Sequence, residues 1–393
     1  MSRLKKKLLL SLLLVAILPS LIIGGYSFYS INKHLRDNSI LSLDSKTTLT
    51  SQRLTSFLEN TSTDISYLRD LSAILLYFSP FDSEEVQRKE LLRKNVEMNL
   101  VEFIGKKKIY QYARLIGLDG MEEVRITFDG INANTESLDE LINAKETRYF
   151  SEAIKLQRGE TFISRLELNK KNNEIEYPIR PSLHFASPVF DNNAVLRGVV
   201  VLSVSVEKLV AIITKQESDN DTMMLIDKEG YYYYHPDESK TWGSPHDLGT
   251  EQNLFTEKPL IKDILSQPDK QNYAKAEGDI LSYQPIYIGK DRHFIGNLIT
   301  LASKKEIFSP LISFTWIFAT VAFFASLLTF ALASILSSSI SSPLLKLKEE
   351  VKRFSSGDFD SPIDVKTNDE VGDVSHEVEK LRRSMKILMS RYR

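Results

Sequence analysis

Two long uncharged runs dominate the distribution of hydrophobic residues along the chain. The first extends roughly from Leu8 to Ile31 and the second from Phe308 to Leu336. Each is long enough to cross about 30 Å of hydrocarbon as a helix. We therefore predict two transmembrane helices. A cleaved signal peptide would share the basic start of the first run, but that run is long and no A-x-A cleavage site follows it.

Between these runs, hydrophobic residues alternate with polar ones over short segments, a pattern typical of β-strands. The segments KIYQYARLIG (108–117) and EEVRITFDG (122–130) flank the turn sequence LDG, and together they predict a hairpin. The same order of strand, turn and strand returns in DTMMLIDKEGYYYYHP (221–236). A helical pattern covers 32–77. Residues 32–307 are therefore expected to form an α+β region, with a long helix followed by two antiparallel modules.

After the second run, hydrophobic residues recur at spacings of three and four in two segments, which predicts two amphipathic helices at about 344–354 and 371–388. A connector rich in Gly, Pro and Asp separates them, and its Ile363 and Val365 are placed to pack back on the helices. A hydrophobic seam of this length needs a partner seam. Two chains together are therefore expected to form a parallel four-helix bundle.

Charge and composition narrow the functional classes. The chain has 50 basic and 52 acidic residues, a balance that argues against nucleic-acid binding. It has no cysteine, hence no disulfide, thiolate zinc site or cysteine nucleophile. The sequence also lacks a P-loop, a G-x-S-x-G elbow and an H-E-x-x-H helix. We predict no catalytic residues, no metal site and no cofactor, and expect the chain as it stands not to be an enzyme.

Basic residues beside the two runs predict how the chain crosses the membrane. Four basic residues within 1–7 precede the first run, and a basic cluster from Lys346 to Arg353 follows the second. Basic residues that flank a span favour the cytoplasmic side. Both ends of the chain are therefore expected inside, with residues 32–307 outside.

The segment after the second run resembles the HAMP domain of bacterial receptors and sensor kinases. The matching features are Pro343 soon after the span, Gly357 at the end of the first helix, and DEVG (369–372) at the start of the second. Glu370 suits the family's helix-starting glutamate, because a carboxylate there meets free N–H groups and the positive end of the helix dipole. The resemblance implies signal-relay roles for Pro343, Glu370, Gly372, Val378 and Leu381.

The outer region resembles the double Cache sensor domain, in which two PAS-like modules are stacked on a stalk helix. The stretches that carry this resemblance span most of residues 108–243 and read RLIGLDGMEEVRI, RYFSEAIKLQRGETFIS, HFASPVFDNNAVLRGVVVLSV and LIDKEGYYYYHPDESKTWG. The resemblance implies that a small polar ligand binds in the module farther from the membrane.

Together, the two resemblances imply a multi-pass receptor of the bacterial inner membrane, with an α+β sensor domain in the periplasm or outside the cell and a parallel HAMP coiled coil inside. The expected segments are the cytoplasmic N-terminus (1–7), the first transmembrane helix (8–31), the sensor domain (32–307) with its stalk (32–77), distal module (78–215) and proximal module (216–307), the second transmembrane helix (308–336) and the HAMP domain (337–393).

The candidate ligand site lies on the elements that line the distal pocket in the resembled fold. The residues predicted to bind the ligand are Tyr112, Arg114, Arg125, Arg148 and Tyr149. Guanidinium groups bind carboxylates bidentately, so the ligand is predicted to be a small organic anion. The amino-acid-binding subset of the family carries a Tyr, Arg, Trp and Tyr signature, whereas RYFSEA here lacks the tryptophan. The alternative is that each arginine lies on an exposed strand face.

The sequence thus predicts a membrane receptor that senses a small ligand outside the cell and relays the signal through HAMP helices. Its expected partners are the ligand, the membrane, a second copy of the chain joined through HAMP, and a separate cytoplasmic output protein, with no nucleic acid. The alternative is a sensor histidine kinase, diguanylate cyclase or methyl-accepting chemotaxis protein whose output module is missing.

Overall fold

The described chain divides into two compact units. The mixed unit, Asp37–Ile307, contains the β-sheets, and the helical unit combines Met1–Arg36 with Phe308–Arg393. The start of the predicted distal module, at 80–85, lies outside the described residues. The computed structural model describes residues 3–79, 86–171, 174–218, 221–266, 273–276 and 278–391.

The helices range from single turns to helices long enough to cross a membrane. Two short 3-10 helices lie at Leu138–Glu140 and Glu238–Lys240. In chain order the α-helices of the described residues are α1 (Arg3–Arg69), α2 (Ser72–Tyr77), α3 (Val86–Lys107), α4 (Arg148–Ala153), α5 (Val206–Thr214), α6 (Leu254–Glu257), α7 (Pro259–Leu265), α8 (Lys304–Ile307), α9 (Ser309–Ser355) and α10 (Glu370–Arg391).

The strands form two main antiparallel sheets, of order β3-β2-β1-β8-β7-β4 and β10-β9-β13-β12-β11, and a small β5–β6 ribbon. The described strands are β1 (Tyr110–Gly117), β2 (Glu122–Phe128), β3 (Ala133–Thr135), β4 (Phe162–Leu168), β5 (Lys170–Lys171), β6 (Glu174–Ile175), β7 (Pro181–Phe190), β8 (Leu196–Ser205), β9 (Thr222–Ile226), β10 (Tyr232–Tyr234), β11 (Tyr273–Ala276), β12 (Asp279–Ile288) and β13 (His293–Ser303).

The six-stranded sheet of the distal module is covered by α1 and α3 on one face. Alternate residues of a strand point to opposite faces, and on this face Leu115 and Ile126 are fully buried. They share a core with Leu58 of α1 and Leu100 of α3. The other face carries α4, whose Phe150 joins a second, smaller core. This second face is where the candidate site lies.

The five-stranded sheet of the proximal module is also buried on both faces. On one face, Met224 and Ile299 pack with Leu254 of α6 and with α7. On the other face, Leu225 and Leu298 extend the core that the distal module shares with α1. The two modules of the mixed unit therefore have a continuous hydrophobic core.

Two helices of the described chain, α1 and α9, are long and apolar enough to cross a membrane. Their large apolar side chains are mostly exposed in the single chain, including Ile22, Trp316 and Phe323. Apolar side chains on the outside of an uncharged helix are suited to lipid. Both spans lie where the sequence places its uncharged runs.

The C-terminal part of the helical unit contains the two helices that the sequence predicts. After the end of α9, Gly357 adopts a φ of 101°, a left-handed conformation that glycine adopts without strain and that commonly closes a helix. The connector then runs to α10, and its Ile363 and Val365 are buried with Leu347. The connector packs back on the helices, as its hydrophobic residues predict.

Helix α3 was not predicted from the sequence. Its buried stripe is narrow, because only Val96, Leu100 and Ile104 are buried in 22 residues. The rest of the helix is rich in charged residues and shows little contrast between its faces, so the helical period is weak. The α+β architecture and the hairpin of β1 and β2 are confirmed. The exact segment boundaries stay predictions.

Candidate functional site

The five residues predicted to bind a ligand line one cavity of about 820 Å³ in the distal module. Tyr112 and Arg114 lie on β1, Arg125 lies on β2, and Arg148 and Tyr149 open α4. A cavity of this size falls within the range of small-molecule sites. The structure thus brings all five together, while their part in binding stays a prediction.

The register of the β1–β2 hairpin places two arginines side by side. Arg114 pairs with Arg125, and Tyr112 pairs with Thr127. Residues at directly opposite positions of an antiparallel pair have neighbouring side chains on one face. Two guanidinium groups in this position repel each other unless a negative charge lies between them.

A β-bulge supplies that negative charge from the protein itself. Leu115 pairs with Val124, but the next residue, Ile116, pairs with Glu122. The unpaired extra residue, Glu123, shifts the alternation of β2 by one position, and a bulge of this kind re-aims the neighbouring side chains. Glu122 therefore turns toward the face that carries the cavity.

The buried carboxylate of Glu122 contacts both strand arginines. It accepts a hydrogen bond from Nε of Arg125 at 2.9 Å, and its other oxygen lies 3.1 Å from Nε of Arg114. It also accepts a hydrogen bond from the backbone N–H of Ile142 at 3.0 Å. One carboxylate thus compensates two cations, which leaves a positive charge at the cavity wall.

Arg114 is held rigidly between aromatic rings. Its Cζ atom lies 4.4 Å from the ring centre of Tyr112 and 5.7 Å from that of Tyr149. Such cation–π contacts stabilise a desolvated guanidinium. Its Nη1 atom donates a hydrogen bond to the Ser203 hydroxyl at 2.8 Å. The charge of Arg114 is therefore fixed in position before any ligand arrives.

A buried histidine continues this network as an uncharged group. His184 Nδ1 lies 2.8 Å from the Ser203 hydroxyl oxygen. Burial, reinforced by the charge of Arg114, lowers the pKa of His184 to about 3. Because the hydroxyl of Ser203 accepts from Arg114, its own proton is available to His184. His184 is thus neutral at physiological pH.

The far wall of the cavity contacts the proximal module. Burial raises the pKa of Glu167, and the charges of Arg165 and Arg148 oppose that rise. Arg165 also donates two hydrogen bonds, of 3.2 and 3.3 Å, to the carboxylate of Asp247. Asp247 belongs to the proximal module and is almost fully buried. A side chain that lines the cavity is therefore paired directly with the second module.

Basic residues outnumber acidic residues in the lining of the cavity, although Glu122 and Asp247 pair with some of them from outside the lining. The hydroxyl of Thr127 is buried and makes no hydrogen bond within the described residues. The basic lining residues are Arg114, Arg125, Lys145, Arg148, Arg165, Lys170 and Arg180. The acidic lining residues are Glu136, Glu140, Glu146, Glu167 and Glu176.

Sequence reasoning missed Glu122, His184 and Glu167. Glu122 was placed in a predicted strand, but its orientation depends on a bulge that the hydrophobic pattern does not reveal. His184 and Glu167 lie on strands that are distant from β1 in the sequence, and only the sheet order brings them near. Among the described residues, no group of three or more His, Asp or Glu side chains is arranged to hold a metal ion.

The residues predicted to relay a signal lie in the helical unit. Pro343 lies inside α9, and Glu370 is the first residue of α10. At the start of α10, the carboxylate of Asp369 accepts hydrogen bonds from the backbone N–H groups of Val371, at 3.1 Å, and Gly372, at 3.2 Å. Glu370 remains favourably placed for the helix dipole, although Asp369 provides the cap.

The two seam residues of α10 face different surroundings in the single chain. Val378 packs against the cluster formed by the connector, whereas Leu381 is 56% exposed. The connector is held on α10 by Glu379, which accepts from the N–H of Ile363 at 2.9 Å and from Arg382 at 2.8 Å. Leu381 is therefore the residue available to a partner helix.

Comparison with protein families agrees with this geometry. Residues 81–299 match the family model of the bacterial histidine kinase sensor domain. The chain belongs to this family of bacterial histidine kinase sensor domains. Residues 335–386 match the HAMP domain. With its two candidate spans, this member of the family is a transmembrane receptor with a sensor domain and a signal-relay domain.

Solved structures share the fold of the sensor domain at low sequence identity. A domain of a sensory box/GGDEF family protein from Vibrio parahaemolyticus has a TM-score of 0.58 at 20% identity, with 70% of this chain and 98% of that chain covered. The extracellular domain of the histidine kinase vpHK1S-Z8 also has a TM-score of 0.58 at 20% identity, with 71% and 95% covered.

A third structure is the ligand-binding domain of the Campylobacter jejuni chemoreceptor Tlp3, in complex with 4-methylisoleucine. It has a TM-score of 0.50 at 12% identity, and 70% of this chain and 95% of that chain are covered. No curated protein matches the chain. The expected resemblance to Cache-type sensor domains and to HAMP is confirmed.

Proposed function

We propose that the distal cavity is the sensing site of this receptor and that its ligand is a small organic anion. The observation that carries the proposal is the buried Arg114, which is fixed between two tyrosine rings and shares a single carboxylate, that of Glu122, with Arg125. Buried polar groups are almost always hydrogen-bonded. A carboxylate in the cavity would balance the positive charge that Glu122 leaves on the two arginines, and the buried, unpaired hydroxyl of Thr127 could donate to the same group.

A zwitterion such as an amino acid is the second candidate. Five carboxylates line the cavity beside the basic groups, so an ammonium group could also find a partner there. The chemoreceptor Tlp3, whose ligand-binding domain has a similar fold, has been solved with an amino acid derivative. The excess of basic lining residues makes the simple anion our first choice.

Thermal unfolding of the full-length protein in lipid nanodiscs tests the ligand class. The probes are simple carboxylates (acetate, lactate, succinate), neutral amino acids and simple alkylamines. A ligand at about 100 times its dissociation constant stabilises the folded state by about 2.7 kcal/mol. We expect carboxylates to raise the unfolding temperature. A response to amino acids but not to carboxylates would select the zwitterion, and a response to amines alone would contradict both candidates.

Variants of the cavity arginines separate binding from folding. Arg148 is exposed at the cavity, so Arg148→Ala is expected to leave the unliganded unfolding temperature unchanged. It should weaken ligand binding about 10- to 100-fold, the usual effect of losing a charged hydrogen bond. Arg158→Ala is the matched control, because Arg158 is exposed in the same module but does not line the cavity. Equal effects of the two variants would remove Arg148 from the site.

The topology and the partners complete the proposal. The two candidate spans and the basic N-terminal cluster support a topology in which residues 32–307 lie outside the cytoplasm. Reporter fusions after Asp221 should be active outside, and fusions after Lys380 inside. We infer that the sensor and HAMP segments are not catalytic, and that the HAMP helices form a homodimer which acts on a cytoplasmic output. Membership of a family of kinase sensor domains favours a kinase as that output.

A further inference from the structure

The proximal module contains a second cavity, of about 340 Å³. It lies on the face of the five-stranded sheet that carries α6 and α7, and Met224, Leu254 and Leu301 form its apolar wall. It shares no lining residue with the distal cavity. The proposed anion site therefore leaves this cavity without a function.

A buried tyrosine hydroxyl lines this cavity beside the carboxylate of Glu257. Tyr232 is 1% exposed and lines the cavity, and its hydroxyl makes no hydrogen bond within the described part of the chain. Burying a hydroxyl without a partner is unfavourable. Burial and the neighbouring carboxylate of Glu257 raise the pKa of Tyr232, so its hydroxyl keeps its proton and can donate to a bound molecule.

The charged groups around the cavity are already neutralised by the protein. Each carboxylate that lines it is paired with a lysine. The pairs are Lys240 with Glu257 at 2.7 Å, Lys258 with Asp279 at 2.7 Å, and Lys46 of α1 with Asp221 at 2.6 Å. A charged ligand of either sign would have to compete with one of these ion pairs, whereas an uncharged ligand would not.

The remaining polar groups of the lining are neutral donors and acceptors. Burial and the charge of Lys240 lower the pKa of His235, so its ring is neutral at physiological pH. His235 Nδ1 accepts a hydrogen bond from the N–H of Asp237 at 2.9 Å, which places the ring proton on Nε2 as a free donor. The hydroxyls of Thr222 and Ser303 also line the cavity.

We propose that this proximal cavity is a second ligand site, for a small uncharged polyhydroxy molecule. Such a molecule places its hydroxyl groups against Tyr232, His235 and the lysine and carboxylate groups of the ion pairs. Its C–H face lies against the apolar wall. It needs no charge of its own and displaces no ion pair. The site differs from the proposed anion site in both place and chemistry.

Hydrogen–deuterium exchange of the full-length protein in nanodiscs tests this site, with glycerol and D-ribose as probes and acetate and ethylamine as charged comparisons. We expect saturable protection of the amides of α6 and β10 by at least one of the two polyols. Tyr232→Phe, which deletes only the hydroxyl, should weaken that binding about tenfold without lowering the unfolding temperature. Tyr231→Phe is the control, because Tyr231 is the neighbouring tyrosine and does not line the cavity.

The outcomes separate the proposal from its rivals. Protection that is lost in Tyr232→Phe, kept in Tyr231→Phe and unchanged in Arg148→Ala supports an independent proximal site. The proposal is overturned if neither polyol protects these segments, if acetate or ethylamine protects them better, or if Tyr232→Phe binds as well as the unchanged protein. None of these results depends on whether the distal cavity binds an anion.

Discussion

At the scale of single residues, the charge of the distal cavity depends on how its carboxylates are used. Glu122 is fully buried and is engaged by Arg114 and Arg125. Burial raises the pKa of Glu167, so Glu167 changes its charge at a higher pH than an ordinary glutamate. The two glutamates therefore have different roles, because one fixes the arginines and the other can tune the affinity for an anion.

We predict that anion binding weakens as pH rises through the pKa of Glu167. Above that pKa, Glu167 is a carboxylate that repels the ligand, and below it the group is neutral. The charged groups that act on Glu167 are Arg165, Arg148, Lys170 and Asp247, and His184 stays neutral because its pKa is about 3. Titration calorimetry over a series of pH values above the ordinary pKa of a glutamate measures the effect.

Glu167→Gln should remove this pH dependence and bind the anion more tightly at neutral pH. Glu207→Gln is the control, since Glu207 is exposed at the start of α5 and does not line the cavity. By the same linkage, the raised pKa of Glu167 stabilises the unliganded fold at low pH, and that contribution is lost as pH rises. A pH profile that is unchanged in Glu167→Gln would assign the titration to another group.

A second residue-scale prediction concerns the start of α10. A Cβ atom added at Gly372 would lie 2.0 Å from the backbone oxygen of Thr367, so Gly372→Ala must displace the connector or the helix start. We expect a weaker signal response and a smaller change in ligand affinity, because the change lies in the relay and reaches the ligand site only through the coupling between them. Output activity and calorimetry measure the two quantities. His376→Ala, at an exposed position of the same helix, is the control. Similar output from both variants would contradict a role of Gly372 in the signal relay.

At the scale of the elements, sequence patterns predicted the hairpin on which part of the candidate site lies, but not the contacts among its side chains. That hairpin, of β1 and β2, carries Tyr112, Arg114 and Arg125. The bulge that turns Glu122 was not predictable, because a bulge changes the register by one residue without changing hydrophobicity. Long-range pairs such as Arg165 with Asp247 depend on tertiary packing that a local pattern does not encode.

The pair of Arg165 and Asp247 predicts energetic coupling between the modules. Removing Arg165 leaves a nearly buried carboxylate unpaired, so Arg165→Gln should destabilise the protein by about 1–3 kcal/mol. Asp247→Asn should cost less, because Arg165 is partly exposed. The double variant should be less destabilised than the sum of the two, and chemical unfolding of all four proteins measures that difference.

The matched control for this double-mutant cycle is the exposed ion pair of Lys155 and Glu152 on the distal module, whose Nζ and Oε1 atoms are 2.9 Å apart. Exposed ion pairs contribute little to stability, so a cycle of Lys155→Gln and Glu152→Gln should be additive. If the effects of Arg165→Gln and Asp247→Asn on the free energy of unfolding also add, the contact does not couple the modules. If it is coupled, ligand-induced protection at Arg165 should also decrease in Asp247→Asn.

At the scale of the whole molecule, sensing requires two arrangements of the receptor with different affinities for the ligand. A ligand shifts such an equilibrium only by the difference between its two binding free energies. Coupling of about 1–3 kcal/mol is typical of allosteric proteins. The relay can carry this energy only if the HAMP helices of two chains form a bundle that has alternative packings, so the dimer is the first property to establish.

The exposed apolar residues of α10 are the candidate surface for that proposed dimer. Val374, Leu381, Met385 and Leu388 are all exposed in the single chain, and their spacings of seven, four and three residues follow a heptad seam. Val378 belongs to the same helical pattern but also packs on the connector cluster. Leu381 is thus the better position at which to test for a partner helix.

We predict that Leu381→Cys forms a disulfide between two chains in native membranes under mild oxidation, because equivalent seam residues of parallel helices face each other. The protein has no cysteine of its own, so any crosslinked dimer on a non-reducing gel reports the introduced thiol alone. His376→Cys is the control, at an exposed position on a different face of α10. Crosslinking at position 381 and not at 376 supports the bundle. The opposite preference would place the dimer interface on another face of α10, and the exposed apolar seam would then need a different partner.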